Sequence, residues 1–258
     1  MTTSSLGVMA ALLAFAPRCF APPPLVTGDV PTAKKQSFEW YVGARYQESE
    51  SGRPARLLPF TELVYGISDR QEVTFEFAGL SKDHEYGIND AVLGTKYVFL
   101  KEQARRPGIA GSFELKLPTG DESRGLGSGE FDYDLRLRAQ KTWGWFTTIG
   151  NVGYAFVTDP EFGGVTTSTE NVWLLTLGQE YQVARRTKLL SEIYFVSREE
   201  PGGPSRLAAN IGFKHKLIDN LTIHAAVGKS VRKGNRGGPD LRVYAGLKWE
   251  FDAPWKRR

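Results

Sequence analysis

The feature that most constrains this chain of 258 residues is a regular alternation of apolar and polar side chains, which begins at Ser37. In the segment 130–140, the residues of one face are Phe131, Tyr133, Leu135, Leu137 and Ala139. The residues between them are acidic, basic or amide side chains. Successive side chains of a β-strand point to opposite faces, whereas a helix would spread these apolar residues around its circumference. The pattern therefore predicts β-strands with one apolar face and one charged face.

Twelve segments of roughly ten to twelve residues carry this pattern, and that length is about twice that of an ordinary soluble strand. They are 37–47, 57–67, 71–80, 90–101, 108–117, 130–140, 145–157, 171–183, 188–198, 205–217, 221–232 and 240–251. Short connections alternate with longer, polar and glycine-rich loops. This arrangement predicts an all-β fold, a transmembrane antiparallel up-and-down β-barrel of about twelve strands over residues 37–251, in a bacterial outer membrane with both termini in the periplasm. A soluble β-sandwich is the alternative, but its strands would be shorter and its loops would not sort by length.

The first residues do not share the alternation. Residues 6–16 form an unbroken apolar run that is too short to span a bilayer as a helix. We interpret residues 1–21 as a secretory signal peptide, residues 22–36 as a periplasmic segment, and residues 252–258 as a C-terminal tail. A buried N-terminal helix is the alternative for the apolar run. Cleavage after Ala21 would remove Cys19, the only cysteine, and would exclude disulfides and thiol chemistry from the mature protein.

Aromatic residues cluster near the ends of the predicted strands, where interfacial girdles of a membrane barrel lie. They are Trp40, Tyr65, Trp143, Trp145, Trp173, Tyr181, Trp249 and Phe251. The last strand has Gly246 followed by aromatics at alternate positions, which resembles the C-terminal signal that the barrel-assembly machinery reads. That machinery and the lipid bilayer are therefore expected partners.

The net charge of +4 comes from 33 basic and 29 acidic residues that are interleaved along the chain. No basic run is long enough to indicate nucleic-acid binding, so nucleic acid is not an expected partner. The alternation instead directs many of these charges into the barrel lumen.

The best candidates for a lumenal constriction carry charges of both signs on the inward face. They are Glu62, Glu76, Lys96, Glu114, Lys116, Asp132, Asp134, Arg136 and Arg138. Lys116, Arg136 and Arg138 are expected opposite acidic residues on adjacent strands. Two interpretations remain open, a polar pore whose selectivity comes from charged side chains and a structural network of ion pairs that fills the lumen.

Enzymatic and metal sites find little support in the sequence. A GxSxG motif is absent, and a lipid hydrolase would have to use a pair such as Ser191 and His215 on the lipid-facing register. Calcium ligation by Asp121, Glu122 and Glu130 is conceivable, but their spacing matches no known calcium loop. We therefore predict no catalytic residues, no metal and no cofactor.

The stretches 58–77, 87–102 and 113–137 resemble the outer-membrane family labelled "MetA-pathway of phenol degradation". The most specific part is Lys116-Leu-Pro-Thr-Gly-Asp121 followed by the glycine-rich run 125–129. The resemblance covers most of the mature chain. It implies an outer-membrane barrel, uptake of small compounds, aromatic or hydrophobic ones among them, and no defined catalytic residues.

The sequence thus predicts a monomeric outer-membrane channel or transporter for small-molecule solutes. The alternative is a structural or adhesive surface barrel that does not transport because its lumen is plugged. An outer-membrane lipid hydrolase is the least favoured hypothesis.

Overall fold

The computed structural model describes residues 23–49, 54–82, 85–162, 165–231 and 239–255. The expected signal peptide, residues 1–21, lies outside this part of the chain. The strands are β1 (Ser37–Ser49), β2 (Pro54–Ser68), β3 (Gln71–Lys82), β4 (Glu85–Ile88), β5 (Ala91–Leu100), β6 (Gly108–Leu117), β7 (Asp132–Trp143), β8 (Phe146–Phe156), β9 (Glu161–Phe162), β10 (Val165–Thr166), β11 (Val172–Ala184), β12 (Thr187–Val196), β13 (Arg206–Ile218), β14 (Leu221–Ser230) and β15 (Pro239–Asp252). A short 3-10 helix spans Glu122–Arg124. Among the described residues, no helix has the length and apolar character needed to cross a membrane.

Twelve of these strands form a closed antiparallel barrel. Each pairs with its neighbours in the order β1-β2-β3-β5-β6-β7-β8-β11-β12-β13-β14-β15, and β15 pairs back with β1 from Ser37↔Asp252 onward. Closure leaves no row of unpaired backbone groups at a sheet edge, which is what a strand must achieve inside a membrane. The predicted barrel of about twelve strands is confirmed.

Three short strands lie outside the ring. β4 pairs with the outer end of β3, and β9 and β10 form a separate hairpin. The sequence analysis assigned both regions to loops. β4 and β5 pair with successive parts of β3, residues 79–82 and 71–76, and between them the amide of Asn89 bonds the carbonyl of Ala78. β4 therefore extends the barrel wall beyond the ring of twelve.

The outer and inner faces of the wall differ as the alternation predicts. On β7, Leu135 is 48% exposed, whereas the neighbouring Asp134 and Arg136 are each 4% exposed. Apolar side chains on the outside and charges on the inside are the reverse of a soluble protein, and they suit a barrel surrounded by lipid.

Aromatic side chains gather at the rim where the short turns lie. Trp143 stacks on Phe146 with ring centroids 5.4 Å apart, and Trp145 lies 5.7 Å from Tyr181. Where β15 closes on β1, Phe38 packs against Phe251 and against Trp255 beyond the last strand, at 5.4 and 6.0 Å. These clusters form the interfacial belt that the sequence indicated at this rim.

Candidate functional site in the barrel lumen

An N-terminal segment, residues 23–36, lies inside the barrel; we call it the strap. The sequence analysis placed residues 22–36 in the periplasm, and the structure differs because lumenal side chains bind the backbone of this segment. The strap enters at the rim of short turns, where the amide of Gln36 bonds the carbonyl of Gly66. It then contacts β3, β5, β7, β8, β12 and β14 in turn, so it follows the inner wall around most of the barrel.

Glu192 is the main anchor of the strap. Its carboxylate accepts hydrogen bonds from the Val26 amide at 2.8 Å, from the Thr27 amide at 2.7 Å and from the Thr27 hydroxyl at 2.7 Å. Asn210 on β13 also donates to Glu192. A buried carboxylate is costly unless several donors surround it, and here the strap supplies most of them.

Further wall side chains bond the rest of the strap. The Asn151 side chain accepts from the Gly28 amide at 2.7 Å and donates to the Gly28 carbonyl at 2.9 Å. It therefore satisfies both backbone groups of Gly28, as the backbone of a neighbouring strand would. Glu72 accepts from the Ala33 amide at 2.6 Å, and Lys96 donates to the Pro31 carbonyl at 2.5 Å. These bonds satisfy backbone groups that would otherwise be buried without partners.

Two glycines of the wall make room for the strap. A Cβ at Gly66 would overlap the carbonyl oxygen of Lys34, and a Cβ at Gly178 would lie 3.0 Å from the Thr27 side chain. Both positions belong to the inward face, where any larger residue would push the strap away. The wall is therefore shaped to hold this segment.

All nine predicted site residues lie on the lumenal face. Their ion pairs are Lys116 with Asp132 (2.5 Å), Arg136 with Asp134 (2.7 Å), Arg138 with Glu114 (3.6 Å) and Lys96 with Glu72 (2.9 Å). The remaining two, Glu62 and Glu76, stand directly opposite each other on β2 and β3. Two of the expected pairs, Lys116 with Asp132 and Arg138 with Glu114, join β6 to β7. Arg136 differs from the expectation, because Ser112 stands opposite it on β6 and its carboxylate partner is on its own strand. A role in a constriction stays a prediction.

The loop between β6 and β7, residues 118–131, folds into the other mouth of the barrel. Leu126 is 1% exposed and packs in a cluster with Phe60 and Tyr244 of the inner wall. The carboxylate of Asp90 holds the loop by accepting from the amides of Gly120 at 2.9 Å and Ser128 at 3.0 Å. The sequence analysis predicted only a polar, glycine-rich loop here.

Removing the Asp90 carboxylate is expected to release the loop. In Asp90→Ala, the two loop amides lose their acceptor and Lys116 loses one of its carboxylate partners, at 3.5 Å in the wild type. Limited trypsinolysis of the purified protein should then cut after the exposed Arg124 several-fold faster than in the wild type. Asp159→Ala is the control, because Asp159 bonds Thr169 in another loop. Equal cleavage rates in both variants would contradict the conclusion that Asp90 holds the loop in place.

The strap and the inner wall enclose a cavity of about 240 Å³. Its polar lining includes Lys96, Lys214, Lys248, Glu39, Glu72, Glu180, Asp29 and His224. Tyr41, Val64, Ile149 and strap prolines supply its apolar lining. The cavity has room for several waters or one small solute.

A comparison with family profiles agrees with this architecture. The family described as "Putative MetA-pathway of phenol degradation" matches residues 26–245. The chain belongs to this family. The match begins within the strap and runs to β15, and it confirms the resemblance drawn from residues 58–137.

Solved structures show the same fold. The COG4313 outer membrane channel from Pseudomonas putida F1 aligns with a TM-score of 0.72 at 14% identity, covering 89% of this chain and 100% of that one. The NanC porin aligns at 0.56 and 9% identity, covering 82% and 98%, and the KdgM porin at 0.55 and 12%, covering 83% and 98%. No curated protein sequence matches this chain. At these identities, the alignments show that this chain has the same fold as these channel and porin barrels.

The alternative sites from the sequence are not assembled in this family member. Thr187, not Ser191, stands opposite His215 and bonds its ring at 2.9 Å, while Ser191 pairs with Ile211 four positions further along. Within the described ranges, no group of three or more His, Cys, Asp or Glu side chains forms a metal site. The Ser191 and His215 pair that a lipid hydrolase would need is therefore not formed.

Proposed function

We propose that this protein is a channel of the bacterial outer membrane that passes small solutes through the barrel lumen. The observation that carries the proposal is the cavity of about 240 Å³ inside a closed barrel with an apolar exterior. Charged side chains line this cavity, and the strands of the wall are paired all the way around the ring. A lumen of this kind stays hydrated while the exterior stays in lipid.

The substrate class follows from the family and from the size of the cavity. The family description refers to phenol degradation, and one structural neighbour is named an outer membrane channel. The cavity admits one small molecule at a time, and its lining combines aromatic and apolar groups with lysines and carboxylates. These features support small compounds, aromatic ones among them, as the transported solutes.

Conductance and solute uptake test the proposal. Purified protein in planar bilayers should show discrete ion-conducting steps, and proteoliposomes should swell in small aromatic acids and amino acids but not in large oligosaccharides. Heat-modifiable gel migration would confirm that the barrel is folded in each preparation. A folded protein that gives neither conductance nor swelling would overturn the channel function.

One observation favours a second candidate, the structural or adhesive surface barrel. The strap fills much of the lumen near one rim. Near the other rim, Leu126 of the loop between β6 and β7 packs against buried residues of the inner wall. If both segments stay in place, the lumen is plugged and the exposed loops carry the function. The same conductance measurement separates the two candidates.

In the outer membrane, barrels of this type have their short turns in the periplasm and their long loops outside the cell. The short turn at Asp69 should face the periplasm, and the long loop that contains Ser168 should face outward. On intact cells, an impermeant maleimide should label Ser168→Cys strongly and Asp69→Cys only after the outer membrane is opened. Labelling of Asp69→Cys alone would reverse the proposed orientation.

We also propose that the barrel is a monomer inserted by the barrel-assembly machinery. The closure of β15 on β1 supports the monomer, since no strand edge of the ring remains to pair with a second copy. The aromatics Trp249 and Phe251 at the end of β15 support the assembly signal. Cross-linking in native membranes tests the first part, and depletion of the assembly machinery tests the second.

A further inference from the structure

Asp29 is a carboxylate that the strap brings into the lumenal cavity. Its side chain is 44% exposed within the barrel, and Oδ1 lies 3.4 Å from Nζ of Lys96. Its backbone carbonyl accepts from the Arg138 guanidinium at 3.4 Å. The side chain therefore lies beside cationic groups of the wall while remaining partly exposed to the cavity.

The other carboxylates around this cavity have lysine partners of their own. The wall pairs are Glu72 with Lys96 (2.9 Å), Glu180 with Lys214 (2.9 Å) and Glu39 with Lys248 (3.5 Å). Asp29 is a fourth carboxylate beside three lysines, among the described residues that line the cavity. An ammonium has three donors, so a lysine that already pairs with one glutamate can bind another anion.

The charges near Asp29 favour its ionised form. Burial inside the barrel by itself raises the pKa of this carboxyl, but the surrounding cations together lower it more, so the net shift is downward. In order of effect, these cations are Lys96, Lys214, Arg138 and Lys248. The lumen thus stabilises a carboxylate beyond those of its own wall.

We infer that Asp29 occupies a carboxylate-binding position in the lumen, and that small solutes with one carboxylate on an apolar body bind there when Asp29 moves aside. The carboxylate of the solute would face Lys96 and Lys214. Its apolar body would contact Tyr41, Val64 and Ile149, which line the same cavity. This inference rests on the proposed channel function, for which it names a class of solute.

Replacing Asp29 tests the inference by leaving the position open. In Asp29→Ala, sodium benzoate should raise the melting temperature of the purified protein by several degrees, because a ligand that binds only the folded state stabilises it. Benzamide, which has the same ring without the charge, should leave it unchanged. Wild-type protein should respond less to benzoate, because its own carboxylate competes. Asp29→Asn removes the charge but keeps the shape, and heat-modifiable migration establishes that each variant folds.

Asp219→Ala is the matched control, because it removes the same charge from a turn where the carboxylate is 95% exposed. Benzoate should stabilise this variant no more than the wild type. The inference is overturned if benzoate stabilises the Asp29 variants no more than Asp219→Ala, or if benzamide acts equally well. Conductance is measured separately on the same preparations. A conducting protein without benzoate stabilisation refutes the carboxylate position alone, and stabilisation without conductance refutes the channel function alone.

Discussion

Deleting residues 23–34 is expected to raise the single-channel conductance several-fold. The strap follows the inner wall past β3, β5, β7, β8, β12 and β14, so its removal replaces peptide with water over most of the circumference. The barrel should remain closed, because the deletion leaves the β1 and β15 pairing intact. Anchors such as Glu192 would then be hydrated by lumenal water. Residues 1–22 are kept so that export is not altered.

A point substitution provides a milder version of this experiment. The side chain of Thr27 would lie 3.0 Å from a Cβ added at Gly178, so Gly178→Val should displace part of the strap and raise conductance by a smaller factor. Gly150→Val is the control on the neighbouring strand, where the nearest atom to an added Cβ would be 3.8 Å away. Planar-bilayer recordings check both variants. An unchanged conductance in the folded deletion variant would show that the strap does not limit ion flow.

Leu135→Arg is expected to destabilise the barrel by about 2–4 kcal/mol, the cost of a basic side chain near the bilayer midplane. Leu135 lies in the middle of β7 on the outer face, between Phe113 of β6 and Tyr154 of β8. An arginine there would have lipid and apolar side chains as neighbours and no carboxylate within its register. Urea unfolding of the protein in lipid vesicles measures the loss.

The control for this prediction lies on the same strand. Gln140→Arg points to the lumen, where Gln140 already contacts the Glu102 carboxylate at 3.5 Å, so the new cation gains a partner and water. Its effect should be much smaller than that of Leu135→Arg. Equal losses of stability would mean that β7 presents the opposite face to the lipid.

The strands are the part of this protein that the sequence determines most directly. On β7, residues facing lipid alternate with residues facing the charged lumen. The alternation therefore determines which face each residue of the strand occupies. The ion pairs between β6 and β7 depend on this arrangement, because Lys116 and Asp132 become direct neighbours once the two strands pair. Arg138 and Glu114 lie on the same lumenal face, where they pair at 3.6 Å. The nine lumenal candidates were found for this reason.

The strap was not predicted, because it has no periodic pattern and its partners are single residues far along the chain. Thr27 binds Glu192, which is 165 positions away, and no local signal in the segment reveals that contact. The clue available in the sequence is indirect, namely lumenal glycines such as Gly66 and Gly178 that leave space in a wall of larger side chains. Only the closed barrel shows that this space is filled by the strap.

The insertion of Leu126 was missed for a similar reason, since one apolar residue in a glycine-rich loop carries little information. The sequence by itself determined the barrel, its strands, the face that each strand turns to lipid, and the family. The tertiary structure alone decided what occupies the lumen. Strand alternation is a local pattern, because each strand has lipid on one side and the lumen on the other. The strap and the loop are held by contacts between residues far apart in the sequence, and these contacts exist only after the barrel has closed.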